Sequence, residues 1–504
     1  MSRIPRHAPT LDLHARLTTA PPAERRSLLS ALGQVVTTLT GEPAPESRDA
    51  LLQSFEDLLT PADPSIVWLA LSVLDAELAT AEDVRRTVRA IRLDGVATAF
   101  GTDPGRTART WLLGRGRRPE VHVLSDVVLV DVDHTARTGL ATGIQRVARE
   151  TVRRWVRDHD EVRLVGWGQD HRTLRLLDVD ERRKALTGEG TTRALASPPV
   201  VVVPWEAGYL LPELSSERTR NERIAALAQF ARCRTGVIGF DCVPISTAET
   251  TAMGVSEAFA TNLAAVRHMD HVSAISRAAA TEYGGWRTML PSVGSQGPEI
   301  SADLLPIEAP AATPEHMAEA EEALTVPGLP MVLCVGTHEP RKNHLALLHA
   351  SELLWREGLQ FSLVLVGGRS WNDERFQQAL AGARARNRPV ETARTLSDDG
   401  LWAAYRLARF MVFPSLNEGY GLPVAEALAC GTPVVTTGYG SMAEIAEDGG
   451  ALLVDPRDDH SIADAMRTLL SDDEVHGQLA AAAAARPRRS WDQYAEQVWS
   501  ALLG

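Results

Sequence analysis

Apolar positions change their period partway along the chain. Between residues 10 and 115 they recur at helical spacing, in Leu28, Leu29, Leu32 and Val35 and again in Leu51, Leu52, Phe55, Leu58 and Leu59. The stretches Ile66–Leu78 and Val84–Ile91 continue the pattern. Residues three and four apart share one helix face, so this spacing predicts amphipathic helices. Gly41-Glu42-Pro43 and Thr60-Pro61-Ala62-Asp63-Pro64 fall in the breaks, where helix ends collect Gly, Pro and Asp. An all-α N-terminal domain over residues 1–115 is expected, with packing or oligomerisation as its plainest role.

From about residue 120 the pattern becomes short Val- and Leu-rich runs separated by helical stretches. Val121–Val132 is long enough for a strand or a strand pair, and an amphipathic helix is expected from Ile144 to Val156. Further strands are expected at Val162–Trp167, Val200–Pro204, Gly236–Phe240, Val272–Ile275 and Leu304–Ile307. Glu308–Pro314 reads as a linker, after which a second unit places strands at Met331–Gly336, Ser362–Gly367, Phe410–Pro414, Pro433–Thr437 and Ala451–Val454. Near-continuous apolar strands alternating with helices indicate parallel sheets covered on both faces. The predicted fold class is α/β, with two tandem Rossmann-like doubly wound domains at 120–310 and 325–485 behind the helical domain. Such sheets bind ligands beyond the carboxyl ends of their strands, and two in tandem offer a cleft.

Composition narrows the classes. A chain of 504 residues exceeds a single core, and 44% apolar with 23% charged residues is ordinary for a globular protein. The net charge of −13, with no long Lys/Arg run, argues against nucleic acid. The short basic clusters Arg115, Arg117, Arg118 and Arg486, Arg488, Arg489 read as solvated loop or helix ends. Cys233, Cys242, Cys334 and Cys430 are far apart, which speaks against a zinc site or disulfide framework. No apolar run has the length of a signal sequence or a spanning helix. A cytoplasmic protein is expected, with docking on the inner membrane face left open.

The chemistry concentrates in two strand-end loops. In Asn417-Glu418-Gly419-Tyr420-Gly421-Leu422-Pro423-Val424-Ala425-Glu426, a strand gives way to a Gly-containing turn and then a helix. Pro423 suits the first helical turn, where its missing N–H costs nothing. The helix N-terminus is an anion site, and carboxylates at Glu418 and Glu426 accept bonds from vicinal hydroxyls of a sugar and a ribose. Either Glu alone would read as a solvated residue; the whole strand–turn–helix context reverses that. In Gly336-Thr337-His338-Glu339-Pro340-Arg341-Lys342-Asn343, a close-turning Gly336 precedes two adjacent cations at a helix start. Arg grips phosphate with two parallel bonds and Lys adds a point charge. Gly367-Gly368 either approaches a nucleotide or forms a plain turn, and Gly143, ahead of Ile144-Gln145-Arg146, opens a helix that can face phosphates across the cleft.

These residues resemble a known family. Gly336–Asn343, the seven-residue spacing from Glu418 to Glu426, and Cys430-Gly431-Thr432-Pro433-Val434-Val435 are similar to the sugar-nucleotide half of retaining GT-B glycosyltransferases, the group with sucrose synthases and bacterial mannosyltransferases. The resemblance covers Met331 to about Val454 and weakens over 120–310, where Thr142–Val147 and Phe240–Ile245 look like family loops. It implies that Arg341 and Lys342 bind the donor diphosphate, Glu418 the sugar hydroxyls and Glu426 the ribose. Gly143, Gly336, Gly367, Gly419, Tyr420, Gly421 and Leu422 would complete the donor site, with Arg341, Lys342, Glu418 and Asp241 as the catalytic set. It further implies no metal or other cofactor, retention of configuration by front-face attack, and a helix at 486–504 crossing back to the first Rossmann-like domain. Phe240 stands where many relatives have His, which suits a deoxysugar donor or signals altered catalysis.

The expected activity is hexosyl or deoxyhexosyl transfer from a nucleotide sugar to a saccharide, lipid-linked or peptide acceptor. Homo-oligomerisation through the helical domain is an open partner. The competing readings are a nucleotide-sugar-binding scaffold without turnover, a nucleotide-sugar epimerase, and a phosphorylase. The last needs a pyridoxal lysine, and the chain has only Lys184 and Lys342.

Overall fold

Fifteen strands fall into two sheets in the computed structural model, which describes residues 12–101, 118–138, 143–190, 200–306, 308–394 and 396–504. The first nine are β1 Glu120–Leu124, β2 Val128–Asp131, β3 Val162–Trp167, β4 Leu174–Leu176, β5 Val200–Pro204, β6 Gly208–Leu211, β7 Arg234–Gly239, β8 His271–Ala274 and β9 Glu299–Ala302. They are ordered β1-β5-β4-β3-β2-β6-β7-β8-β9. The second sheet comprises β10 Met331–Val335, β11 Ser362–Val366, β12 Val390–Ala393, β13 Phe410–Phe413, β14 Val434–Thr437 and β15 Ala451–Val454. Its order is β12-β11-β10-β13-β14-β15 and every pairing in it is parallel.

The residues of β10 show why these runs form a doubly covered sheet. All five are buried, and alternate side chains enter different cores. Val332 and Cys334 join Leu347, Leu354 and Phe361 on one face, while Leu333 and Val335 join Val364, Met411 and Val424 on the other. The second of these cores runs without interruption into the first sheet and the N-terminal helices.

Several expectations need correction. The Val121–Val132 run is two strands, β1 and β2, that do not pair with each other and lie four positions apart in the sheet order. The first sheet is mixed, because the short β4 runs antiparallel to β3 and β5. The strand expected at Leu304–Ile307 lies earlier, as β9, and Asp303–Pro306 has left the sheet. Asp303 explains this: its carboxylate accepts bonds from Ser273 Oγ at 2.8 Å and Ser301 Oγ at 2.6 Å, turning the chain at the sheet edge. Ile307 itself lies outside the described residues, as do Arg115, Arg117 and the loop 139–142. Strands β4, β6, β9 and β12 were not foreseen.

The N-terminal segment forms the helices Leu13–Thr19, Pro22–Thr40, Arg48–Leu59, Pro64–Asp75, Ala81–Asp94 and Val96–Ala99. Asp12, Ser47, Asp63 and Thr80 cap four of them with side-chain bonds to free backbone N–H groups. The bundle packs on the helix Arg218–Phe230 and is tied to the first sheet by Gln34 Nε2 donating to the Val121 carbonyl at 2.9 Å. The helix Trp491–Leu503 lies across the first sheet, with Leu502 against Gly236 and Trp155 Nε1 donating to the Ala495 carbonyl at 2.9 Å. Among the described residues no helix is long and apolar enough to cross a membrane.

Candidate functional site

The seam between the two sheets collects the loops that follow β7, β10 and β13. After β10, Gly336 adopts a positive φ of 151° and a single turn, Pro340–Lys342, leads to Asn343. Asn343 is left-handed at φ 58°, a conformation Asn tolerates, and starts the helix His344–Arg356. Its side chain donates to the carbonyls of Pro414 at 3.2 Å and Pro456 at 2.7 Å. The Leu416 N–H donates to the Arg341 carbonyl at 2.8 Å. These bonds stitch the β10 loop to the β13 loop, so Arg341 and Lys342 are held against Glu418.

The result is one ion-pair cluster. Lys342 Nζ is 2.6 Å from Glu418 Oε1, and Arg341 Nη1 is 2.7 Å from Glu418 Oε2. Arg341 also pairs with Glu339 at 2.7 Å, and Ser415 Oγ donates to Glu418 Oε1 at 2.6 Å. Burial alone would raise the Glu418 carboxyl, but the charges and bonds of Lys342 and Arg341 outweigh it and hold the pKa at about 2. The Arg341 guanidinium loses by burial and gains more from Glu418 and Glu339, so it is held above its ordinary value.

Asp241 reaches this cluster from the other sheet. The peptide of Phe240 and the Asp241 carboxylate press on Gly419, where an added Cβ would lie 2.5 Å from the Phe240 carbonyl oxygen and 2.8 Å from Asp241 Oδ2. Glycine is therefore required at 419 by close approach. Burial pushes the Asp241 carboxyl up to about 6 against the pull of Arg341, with Glu282 and Glu418 adding to the rise. Ser276 Oγ donates to the Gly419 carbonyl at 2.7 Å, and Tyr420 Oη donates to the Leu305 carbonyl at 2.9 Å. The turn between Glu418 and Leu422 is thus pinned to the first sheet.

Gly421, at φ 103°, precedes the helix Leu422–Ala429, with Pro423 in its first turn as the sequence suggested. Glu426 lies one turn further on, buried, and forms a separate pair. Arg146 of the first domain bonds its Oε1, while Tyr405 Oη donates to its Oε2 at 2.7 Å. Burial raises the Glu426 carboxyl, and Arg146 and Tyr405 oppose that rise. Gly143, at the start of the helix Gly143–Asp158, faces Leu422; an added Cβ would sit 3.0 Å from Leu422 Cδ1. Gly367 crosses under Gly336, with a Cβ position only 2.0 Å from the Gly336 carbonyl oxygen, whereas nothing lies near that of Gly368.

Of the residues singled out in the sequence, Arg341, Lys342, Glu418, Gly419 and Asp241 come together in one cluster. Gly143, Leu422 and Glu426 line a second part of the seam, and Gly336 and Gly367 are a backbone crossing below the first. Arg146, Tyr405, Glu339 and Ser415 were not weighed. A signal existed for Arg146, because a cation in the first turn of a helix opposes the helix dipole and needs an anion nearby. Tyr405 carried none, since its position on Asp398–Leu407 reads as core.

Residues 318–486 match the family model described as Glycosyl transferases group 1. The O-antigen chain mannosyltransferase B of Escherichia coli is 36% identical over 171 residues, 34% of this chain and 44% of that protein. The serotype-specific mannosyltransferase WbdA of Escherichia coli is 26% identical over 332 residues, covering 64% and 40%. The chain therefore spans less than half the length of these curated relatives. Among solved structures, Anabaena HepE in complex with UDP and glucose aligns over 74% of this chain and 98% of its own, with 14% identity and a TM-score of 0.55. The two sheets thus have the GT-B arrangement, and the second of them carries the Glycosyl transferases group 1 match.

Proposed function

We propose that the chain is a retaining glycosyltransferase that moves a sugar from a nucleotide-sugar donor to a saccharide, lipid-linked or peptide acceptor. One observation carries the reading. Arg341, Lys342 and Glu418 meet in a single cluster at the carboxyl end of the second sheet, with Asp241 supplied by the facing sheet. In doubly wound folds that end is where ligands bind. The matches to mannosyltransferases and the fold shared with a UDP- and glucose-bound structure support the same class.

Cleavage of the donor leaves a diphosphate whose negative charge grows in the transition state. Arg341 and Lys342 stabilise it as fixed cations, so no divalent ion is required. Glu418 accepts bonds from donor sugar hydroxyls and Glu426 from the ribose. Attack from the face that the diphosphate leaves retains the anomeric configuration, with the departing phosphate taking the acceptor proton. Gly419 and Tyr420 are buried in the seam, which limits the approach of water to the donor.

A thermal-shift panel of nucleotide sugars, followed by turnover assays with EDTA present, tests this. A stabilising donor that is then turned over without added metal supports it. No stabilisation by any nucleotide sugar sinks it, and stabilisation without transfer or hydrolysis favours a donor-binding scaffold.

A further inference from the structure

We propose that Arg146 is an exchangeable counter-ion, paired with Glu426 and moving to the diphosphate of the nucleotide when one binds. The inference rests on the donor-site reading above and concerns how that site admits its ligand.

Arg341 and Lys342 are matched by Glu418 and Glu339, with the Asp241 carboxyl beside them, so the cluster at the β10 and β13 loops has no positive charge to spare. Arg146 and Glu426 form a second neutral pair. A nucleoside diphosphate brings two or more negative charges into this seam, and some pair must open to meet them. The side chains of Arg341 and Lys342 are 17% and 13% exposed, whereas that of Arg146 is 40% exposed. Of the three cations Arg146 is the most solvated, so detaching it costs least, and Tyr405 stays bonded to the carboxylate it leaves.

The same movement frees the carboxylate that a ribose needs. Glu426 has Tyr405 on one oxygen and Arg146 on the other, so its outward oxygen is occupied until Arg146 leaves. In any nucleoside diphosphate the ribose and the first phosphate are joined through one methylene. Ribose hydroxyls arriving at Glu426 therefore bring the phosphates within the sweep of a long Arg side chain. Arg146 stands in the first turn of Gly143–Asp158, the positive end of that helix's dipole, which favours an anion at the same place. Its guanidinium lies 5.7 Å from the Trp402 ring centroid, an aromatic face along which it can shift while remaining partly desolvated.

The exchange predicts opposite behaviour for the two halves of the nucleotide. Calorimetric titration compares UDP, GDP, ADP, CDP and dTDP, each with its nucleoside, on wild type, Arg146→Ala, Arg146→Lys and Glu426→Ala. For the base that wild type binds, Arg146→Ala should bind the diphosphate about tenfold or more weaker, the scale of a lost charge-assisted hydrogen bond. It should bind the nucleoside no more weakly than wild type, since Glu426 is released. Arg146→Lys should recover part of the diphosphate affinity, and Glu426→Ala should lose nucleoside affinity. Equal losses for diphosphate and nucleoside in Arg146→Ala would make Arg146 a mere support for Glu426 and overturn the exchange. An unchanged diphosphate affinity overturns it as well. Failure of wild type to bind any of the five diphosphates instead overturns the donor site itself, and the exchange with it.

Discussion

Lys342 Nζ lies 2.6 Å from Glu418 Oε1, so a cation expected to meet phosphate and a carboxylate expected to meet sugar are paired with each other. Arg341 occupies the other Glu418 oxygen. These groups satisfy one another, and a donor must compete with internal ion pairs before it gains anything from them. This favours donors that offer both a diphosphate and hydroxyls over fragments that offer one.

Replacing Glu418 by Gln keeps the shape and removes the charge that both cations share. Turnover should fall by at least ~100-fold if sugar hydroxyls lose their carboxylate, while nucleoside diphosphate affinity should hold or rise. Stability should drop by about 1–3 kcal/mol, the range for a hydrogen bond to a charged group. The pH dependence has a definite sign. The folded Glu418 pKa of about 2 lies below its ordinary 4.5, so its stabilisation is present above pH 4.5 and is lost as pH falls toward 2. Denaturant titrations between these values should show that slope in wild type and lack it in Glu418→Gln.

Asp241 gives a different pH signature. Burial raises its carboxyl to about 6 from 3.8, so its proton-linked stability is present below pH 3.8 and is lost as pH rises through 6. If the ionised form serves the reaction, the rate should climb through an inflection near pH 6. Asp241→Asn should remove the inflection and lower the rate at pH 7.5 more than at pH 5. An inflection that survives the substitution assigns it to another group.

Most of the second sheet was legible because buried parallel strands are continuous apolar runs, and Met331–Val335, Ser362–Val366 and Phe410–Phe413 are such runs. The loops after them were legible through Gly, Pro and adjacent charges. The strands that escaped notice are short or weakly apolar. Val390–Ala393 contains Glu391 and Thr392 at an edge, and Leu174–Leu176 carries Arg175. What stayed hidden at the site is the set of partners that long-range packing supplies. Tyr405 and Arg146 lie 21 and 280 positions from Glu426, and no local pattern links them.

Gly367 and Gly368 separate a backbone requirement from a spacer. At Gly367, φ is 152° and a Cβ would lie 2.0 Å from the Gly336 carbonyl oxygen, backbone that cannot swing aside. Gly367→Ala should therefore destabilise by about 2–4 kcal/mol and displace the loop carrying Arg341 and Lys342, with donor affinity lost. Gly368→Ala meets nothing within 4 Å and should leave the melting temperature within error. Differential scanning calorimetry of the two variants, with nucleotide titrations, checks the contrast.

The helix Asp133–Arg137, which follows β2, depends on a buried charge network at the end of that strand. Arg220 Nη2 lies 2.9 Å from both Asp131 Oδ1 and Glu213 Oε1, and all three side chains are fully buried. Glu213 in turn accepts the N–H groups of His134 at 2.7 Å and Thr135 at 2.8 Å, fixing the short helix Asp133–Arg137. Arg220 is the cation between two carboxylates, so Arg220→Met leaves a like-charged pair in a dry site. The cost of removing one partner of such a group is about 3–5 kcal/mol, larger than its net contribution when intact. The loss should be pH-dependent, because burial raises the Glu213 carboxyl against the pull of Arg220, and without that cation Glu213 takes up a proton more readily. Arg220→Met should therefore regain stability as pH falls from 7 to 5, opposite to the trend from Glu418. Chemical denaturation at the two pH values measures this directly. A variant equally unstable at both would show that Arg220 holds the helix by packing and not by charge.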